Sequence, residues 1–187
     1  MFDKNRYQLR KKVFTLFGAE FQITDDENNL VLYAKQKAFK LKEDIRLFAD
    51  REMTNELLNV KARSVIDFSA AYDVFDSKNG DKLIGTLKRK GLNSILRDEW
   101  IVLDENGQEI AKVQEDSMLL ALIRRFMTGL IPQQYDVFMG ENRVMDIKGR
   151  FNPFIFKTDL VFESENFDKR LGLSLSILLA AIEGRQE

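Results

Sequence analysis

Apolar and polar residues alternate with a period of two along most of this chain, which is the signature of half-buried β-strands. Residues 19–37 read as a hairpin. Phe21 and Ile23 alternate before an acidic turn at Asp25-Asp26-Glu27-Asn28-Asn29, and LVLYAKQK, residues 30–37, returns. Asn28 and Asn29 are the residues expected to take left-handed turn conformations. Residues 45–49 form a short strand, a turn follows around Asp50–Asn55, and residues 57–62 and 65–69 continue in extended form. Residues 71–76 and 82–89 flank Asn79-Gly80, the strongest short-range turn signal in the chain. Residues 100–104 and 109–113 flank Asn106-Gly107, and residues 135–139 and 143–148 flank Gly140–Asn142. Residues 154–157 and 160–163 are expected to form a last strand pairing. The N-terminal stretch RYQLRKKVFTLF, residues 6–17, mixes basic and apolar positions and predicts no definite element.

Two segments break the period. SMLLALIRRF, residues 117–126, has helix formers and predicts a helix of two to three turns, with residues 127–134 as a connection. The closing segment DKRLGLSLSILLAAIE, residues 168–183, is apolar on nearly its whole circumference when wound as a helix. Its only other faces carry Gly172, Ser174 and Ser176, which are small. Asp168 is placed to cap its N-terminus and Gly184 to stop it. Leu171, Leu173, Leu175 and Ile177 also alternate as a strand would, but Leu178–Ile182 continues unbroken. A membrane span needs about 20 apolar residues, more than this segment offers. A buried core helix is the better reading, because a helix apolar all round must be surrounded.

The strand pairs repeat. Units opening at Phe21, Tyr72, Trp100 and Tyr135 each place Ile or Val two positions on, and the first three place Asp two positions further; the fourth has Met139 there. Val74, Val102, Val137, Ile84 and Ile110 are expected to face one way. An isolated hairpin is at best marginal in water, so hairpins laid side by side must curl around something or close. Closure around the 168–183 helix gives both the sheet's inner face and the helix an apolar partner.

Composition narrows the chemistry. The 187 residues fit a single domain, and 15 Phe with only 2 Pro argue for an ordered core. With 29 basic and 30 acidic residues, no nucleic-acid partner is expected. The absence of Cys and His removes disulfides, thiolate or imidazole metal ligands, Cys nucleophiles and His-based triads. No cofactor is called for. No apolar h-region opens the chain, and a Cys-free chain fits a reducing compartment. A cytoplasmic location, at most peripheral to a membrane, is the expectation.

The successive aromatic-x-Val-x-Asp-x-x-Asn-Gly hairpins and the closing DKRLGLSLSILLAAIE make the chain resemble the tubby C-terminal-like superfamily. Within it, the chain is most similar to the LURP-one-related and phospholipid-scramblase-like branch, over roughly residues 5–183. The resemblance implies a mainly β fold: a closed antiparallel barrel of about twelve strands around a buried C-terminal hydrophobic helix. It implies binding rather than catalysis, since tubby proteins hold phosphoinositide head groups on a basic surface and the scramblase branch is associated with membranes and calcium. Partners expected on this ground are anionic lipid head groups or a protein. Near-zero net charge and the lack of a sharp motif leave two alternatives, a structural or stress-related scaffold without a small ligand and, less favoured, a hydrolase using Asp/Glu chemistry.

Candidate sites follow from charge. Lys88-Arg89-Lys90, with Lys82 and Arg97 near in sequence, form a candidate anion site for head-group phosphates. The plainer reading, a solvated strand end that discourages edge pairing, weighs more. Lys35, Lys37, Lys40 and Lys42 form a second basic run, read first as an outer barrel face. Arg124-Arg125 mark either a membrane-surface helix or a plug helix with polar ends, and the plug is favoured. Asp25-Asp26-Glu27, Asp76 and Asp104 lack the spacing of a calcium loop and read as Asx turns.

Overall fold

A computed structural model describes residues 2–14, 18–36, 44–64, 70–90, 99–115, 134–150 and 156–183. Twelve strands follow one another around a closed barrel: β1 (Arg6–Phe14), β2 (Gly18–Asp25), β3 (Leu30–Gln36), β4 (Ile45–Phe48), β5 (Glu56–Ser64), β6 (Ala71–Asp76), β7 (Lys82–Arg89), β8 (Trp100–Leu103), β9 (Glu109–Glu115), β10 (Gln134–Met139), β11 (Asn142–Arg150) and β12 (Phe156–Phe162). Every pairing is antiparallel, and β12 closes onto β1 with Leu9 opposite Thr158 and Tyr7 opposite Leu160. Among the described residues one α-helix, α1 (Lys169–Glu183), follows β12.

The helix lies where its composition requires. Every residue from Leu171 to Ala181 is buried, including Ser174 and Ser176. Around it stand the inward positions of the sheet, among them Leu9, Phe21, Ile23, Leu47, Val74, Leu87, Val102, Val137 and Leu160, each at 1% exposure or less. A fully buried Leu contributes about 1.5–3 kcal/mol, so the helix and the wall stabilise each other along the whole axis. The small residue on α1 has a specific neighbour. A Cβ on Gly172 would sit 2.6 Å from the ring of Phe162 and 2.8 Å from the sulfur of Met145. Gly85 on β7 is equally confined, by the Leu103 carbonyl at 2.5 Å and the Leu171 side chain at 3.0 Å.

The hairpin repeat is deeper than its sequence motif. It has five members, because β4–β5 joins the four units seen in the sequence. In each, the register slips by one residue on the return strand just inside the turn. The extra residues are Val31, Leu57, Ile84, Ile110 and Val144. Bulges bend a strand and increase its twist, so one in each hairpin helps curl the sheet shut. They also revise the expected inward row. Val74, Val102 and Val137 face the helix at 0% exposure, and opposite them stand Gly85, Ala111 and Met145. Ile84 and Ile110 fall in the bulges, have no residue opposite, and are half-buried against the core.

Other expectations change in detail. Residues 6–14, without a definite element in the sequence, form β1, with Tyr7, Leu9 and Lys11 turned inward. Residues 156–162 form one continuous strand rather than two paired ones; β12 bonds β11 on one side and β1 on the other. Asn28 alone of its pair is left-handed, at φ 63°. The helix expected at 117–126, the connection through 133 and the extended run at 65–69 lie outside the described residues.

Replacing Leu175 or Leu178 by Asp is expected to prevent folding, because an unpaired buried charge costs several kcal/mol or more against a typical total of about 5–15. Circular dichroism and thermal melting read the outcome; a soluble variant melting cooperatively near the parent contradicts the central placement of the helix.

Candidate functional site

The barrel has two chemically different ends. One carries all five hairpin turns, the start of β1 and the start of α1. The other carries the opposite strand ends: the end of β1, the start of β2, the end of β3, and so around the wall.

At the turn end, carboxylates close the hairpins. Asp25 accepts the backbone N–H groups of Glu27 and Asn29 at 2.9 and 2.8 Å. Asp104 accepts those of Asn106 and Gln108 at 2.9 and 2.8 Å. Asp50 accepts from Thr54 and Asn55, and Asp76 from Lys78 and Asn79. These are turn-closing hydrogen bonds, as the Asx reading of Asp25, Asp76 and Asp104 expects. Hydrogen bonding to the ionised form holds all four carboxyls below the usual range; backbone N–H donors lead at Asp50 and Asp104, and the Asn29 side chain leads at Asp25. At Asp76, burial pushes the other way, and the Asn79 amide and the Arg170 charge outweigh it.

The helix is tied to the barrel at both ends by charge. Asp168 caps it, accepting from the Arg170 N–H at 2.8 Å. The Arg170 guanidinium spans Asp168 and Asp76, at 2.6 Å from each, and so joins the first turn of α1 to the β6–β7 hairpin. Lys169, buried, pairs with Glu165 at 3.0 Å. At the far end, Lys11 projects inward from β1. Its Nζ donates to the Ala180 carbonyl at 2.6 Å, with the rings of Phe21 and Phe156 each within 6 Å. A cation at a helix C-terminus meets the negative end of the macrodipole. Period-two alternation puts Lys11 on the same side as Tyr7 and Leu9 and sends Arg10 and Lys12 to the other, a signal that its charge masks in the sequence.

The sequence-derived cations separate in space. Lys88 is exposed on the outer wall, and strand alternation sends the half-buried Arg89 to the other face. Lys90 lies just past the strand, 3.6 Å from Glu99. Lys82 is at the turn end, paired with Glu105 at 2.8 Å. Lys35 is exposed on β3 over the ring of Tyr33. Arg97, Arg124, Arg125, Lys37, Lys40 and Lys42 lie outside the described residues.

A cationic row that the sequence reading missed runs across β1, β12 and β11. Arg10 stands directly opposite Lys157, and Lys157 directly opposite Arg150, all on the outer wall. Flanking them are Lys12 on β1 and Lys148 on β11. Of the outward positions Gln8, Arg10, Lys12, Lys157, Asp159, Lys148 and Arg150, Asp159 is the one carboxylate. No periodicity signals this row, because Arg10 is far along the chain from Arg150 and Lys157 and meets them only through barrel closure.

Two depressions at the turn end, of about 380 and 360 Å³, are lined by charged side chains already engaged with one another, Arg170 and Asp168 in both. No group of three or more acidic residues among the described ones is arranged to hold a metal ion. On β10 and β11, Arg143 bridges Asp136 and Glu163 at 3.1 and 2.6 Å. Asp146, directly opposite Asp136, has its carboxyl pushed up, mainly by burial.

A family model described as LURP-one-related matches residues 30–169. Among solved structures, an X-ray structure of a protein from Arabidopsis thaliana is similar over 95% of this chain and 91% of that one, with a TM-score of 0.56 and 19% identity. At that identity the likeness speaks for the fold alone. No curated protein sequence matches.

Two expected outcomes test the site's electrostatics. Lys11→Met and Arg170→Met should each lower stability by about 1–3 kcal/mol, the size of a charge-assisted hydrogen bond, as read by urea denaturation. Because the folded pKa values of Asp25, Asp50, Asp76 and Asp104 are depressed, the stability they contribute is complete above the unfolded value near 3.9. It is lost as pH falls through the lower folded values. The denaturation midpoint should therefore drop steeply below about pH 4, and less steeply in Asp104→Asn.

Proposed function

This chain belongs to the LURP-one-related family, and on that premise we propose that it is a non-enzymatic binding module whose ligands are anionic phospholipid head groups at a membrane surface. The observation that carries this reading is the filled barrel. With Leu171–Ala181 of α1 buried along the axis against the inward side chains of the wall, recognition falls to the outer wall and the rims. Of the carboxylates lining the two turn-end depressions, Asp76 and Asp168 bond Arg170, Glu165 pairs with Lys169 and Glu105 with Lys82, which favours binding over acid–base chemistry there.

Cations on the wall supply the chemistry for phosphate: Lys88, Arg10, Lys157 and Arg150 present ammonium and guanidinium groups outward. The module works at the face of the bilayer. No described helix is long and apolar enough to cross a membrane, and the wall carries Arg10, Lys148 and Asp159 where a spanning strand would present an apolar band. The helix-threaded barrel also supports kinship with the tubby C-terminal-like superfamily.

Flotation with phosphatidylcholine vesicles, with and without phosphatidylserine, tests the ligand class. Association is expected only with the anionic vesicles and should weaken as salt is raised. Absence of association at low salt overturns the reading.

A further inference from the structure

The near-zero net charge conceals a separation along the barrel axis. The turn end comprises residues 2–6, 24–30, 48–56, 75–83, 103–109, 138–143 and 162–170, each hairpin counted outward from the rung beyond its bulge. These residues include 8 Lys and Arg against 16 Asp and Glu. The rest of the described chain holds 14 Lys and Arg against 9 Asp and Glu. One end is strongly acidic, and the remainder of the described chain is net basic.

Part of this has an internal cause. Asp25, Asp50, Asp76 and Asp104 close turns, and the positive end of the α1 dipole sits among carboxylates. Those causes do not account for the row Arg10–Lys157–Arg150. Like charges directly opposite on neighbouring strands destabilise a sheet. Asp159 offsets the row only in part, since it bonds Arg150 and Gln8. Lys157 has no hydrogen-bond or ion-pair partner among the described residues.

We propose that the row Arg10–Lys157–Arg150 is the contact by which the barrel lies against an anionic bilayer, with the acidic hairpin turns held away from it. The proposal rests on the lipid-binding reading above and adds the site and the orientation. Three geometric facts favour a bilayer. Neighbouring strands are about 4.8 Å apart, so the row spans roughly 10 Å across the outer face of three strands, which suits a field of phosphates better than one enclosed ligand. No aromatic side chain stands among its seven outward positions to stack a nucleobase. A long polyanion running past the barrel would also meet the acidic end. A planar surface facing the basic end does not, because strands of seven to nine residues are roughly 25 Å long and the Debye length is about 8 Å at physiological salt.

The test compares charge-matched variants of the full chain on phosphatidylserine-containing vesicles. The row variant is Arg10→Glu/Arg150→Glu/Lys157→Glu, and the control is Arg51→Glu/Lys78→Glu/Lys82→Glu at the turn end. At about 5-fold per cation near an anionic surface, the row variant should bind about 100-fold more weakly or worse, and the control should stay near the parent. If the parent floats and both variants lose binding equally, only net charge matters: the orientation is overturned and the lipid reading stands. If the parent floats and the row variant binds like it, the site is overturned. If the parent does not float, the lipid reading itself fails. Row-dependent binding of a fluorescent single-stranded oligonucleotide, without vesicle binding, overturns the bilayer in favour of nucleic acid. A neutral set, Arg10→Gln/Arg150→Gln/Lys157→Gln, guards against misfolding. It should melt no lower than the parent and still lose vesicle binding; loss of binding with a lowered melting temperature points to structural damage and counts against the site.

Discussion

A fifteen-residue helix with no polar face has to be enclosed, and a twelve-stranded barrel has to be filled. Each requirement answers the other. Barrels of about eight strands close on their own side chains, while larger ones leave a lumen; here the lumen is occupied by Leu171–Ala181, all buried. The remaining features accommodate that contact. Gly172 lets Phe162 and Met145 reach the helix backbone, and Gly85 lets the Leu171 side chain reach the wall. The five bulges bend the hairpins around it.

Apolar packing holds the helix in but leaves its direction and axial position weakly specified. Polar contacts at the two ends supply both. Asp168 and Arg170 tie the first turn to Asp76, and Lys11 meets the Ala180 carbonyl at the other end. A helix inserted backwards would set Lys11 beside N–H donors and Arg170 beside an apolar wall. Lys11 is a buried cation, but it has a carbonyl acceptor and two aromatic faces, so the group is compensated rather than orphaned.

On the proposed reading recognition lies outside the filled lumen, on an outer wall that is electrically uneven. A net charge of −1 excludes very little when the charges are sorted by end. The turns need Asp, so the turn end becomes acidic; cations collect on the rest of the wall. A field arranged this way orients the molecule against a charged surface without a pocket, and salt attenuates it.

Much of the barrel could be read from the chain. The hairpins around Asn79-Gly80 and Asn106-Gly107, the Asx turns at Asp25 and Asp104, and the enclosed helix at 169–183 follow from local rules: turn chemistry, a period of two, and an apolar circumference. Local rules failed where neighbours decide. Residues 6–14 form β1 because β12 and β2 lie on either side, although their mixture of charge and apolar groups names no element. Lys11 shares a face with Tyr7 and Leu9 by alternation, but only the closed barrel brings that face to the Ala180 carbonyl. Ile84 and Ile110 match Val74 and Val102 in kind, yet the bulges set them off the inward row. Arg10, Lys157 and Arg150 are unremarkable one by one and become a row only when the ends of the sheet meet. Sequence determined which segments bend, pair and need enclosure, since those depend on neighbours in the chain. Tertiary structure alone decided which charges share a face, since that depends on register across a closed sheet.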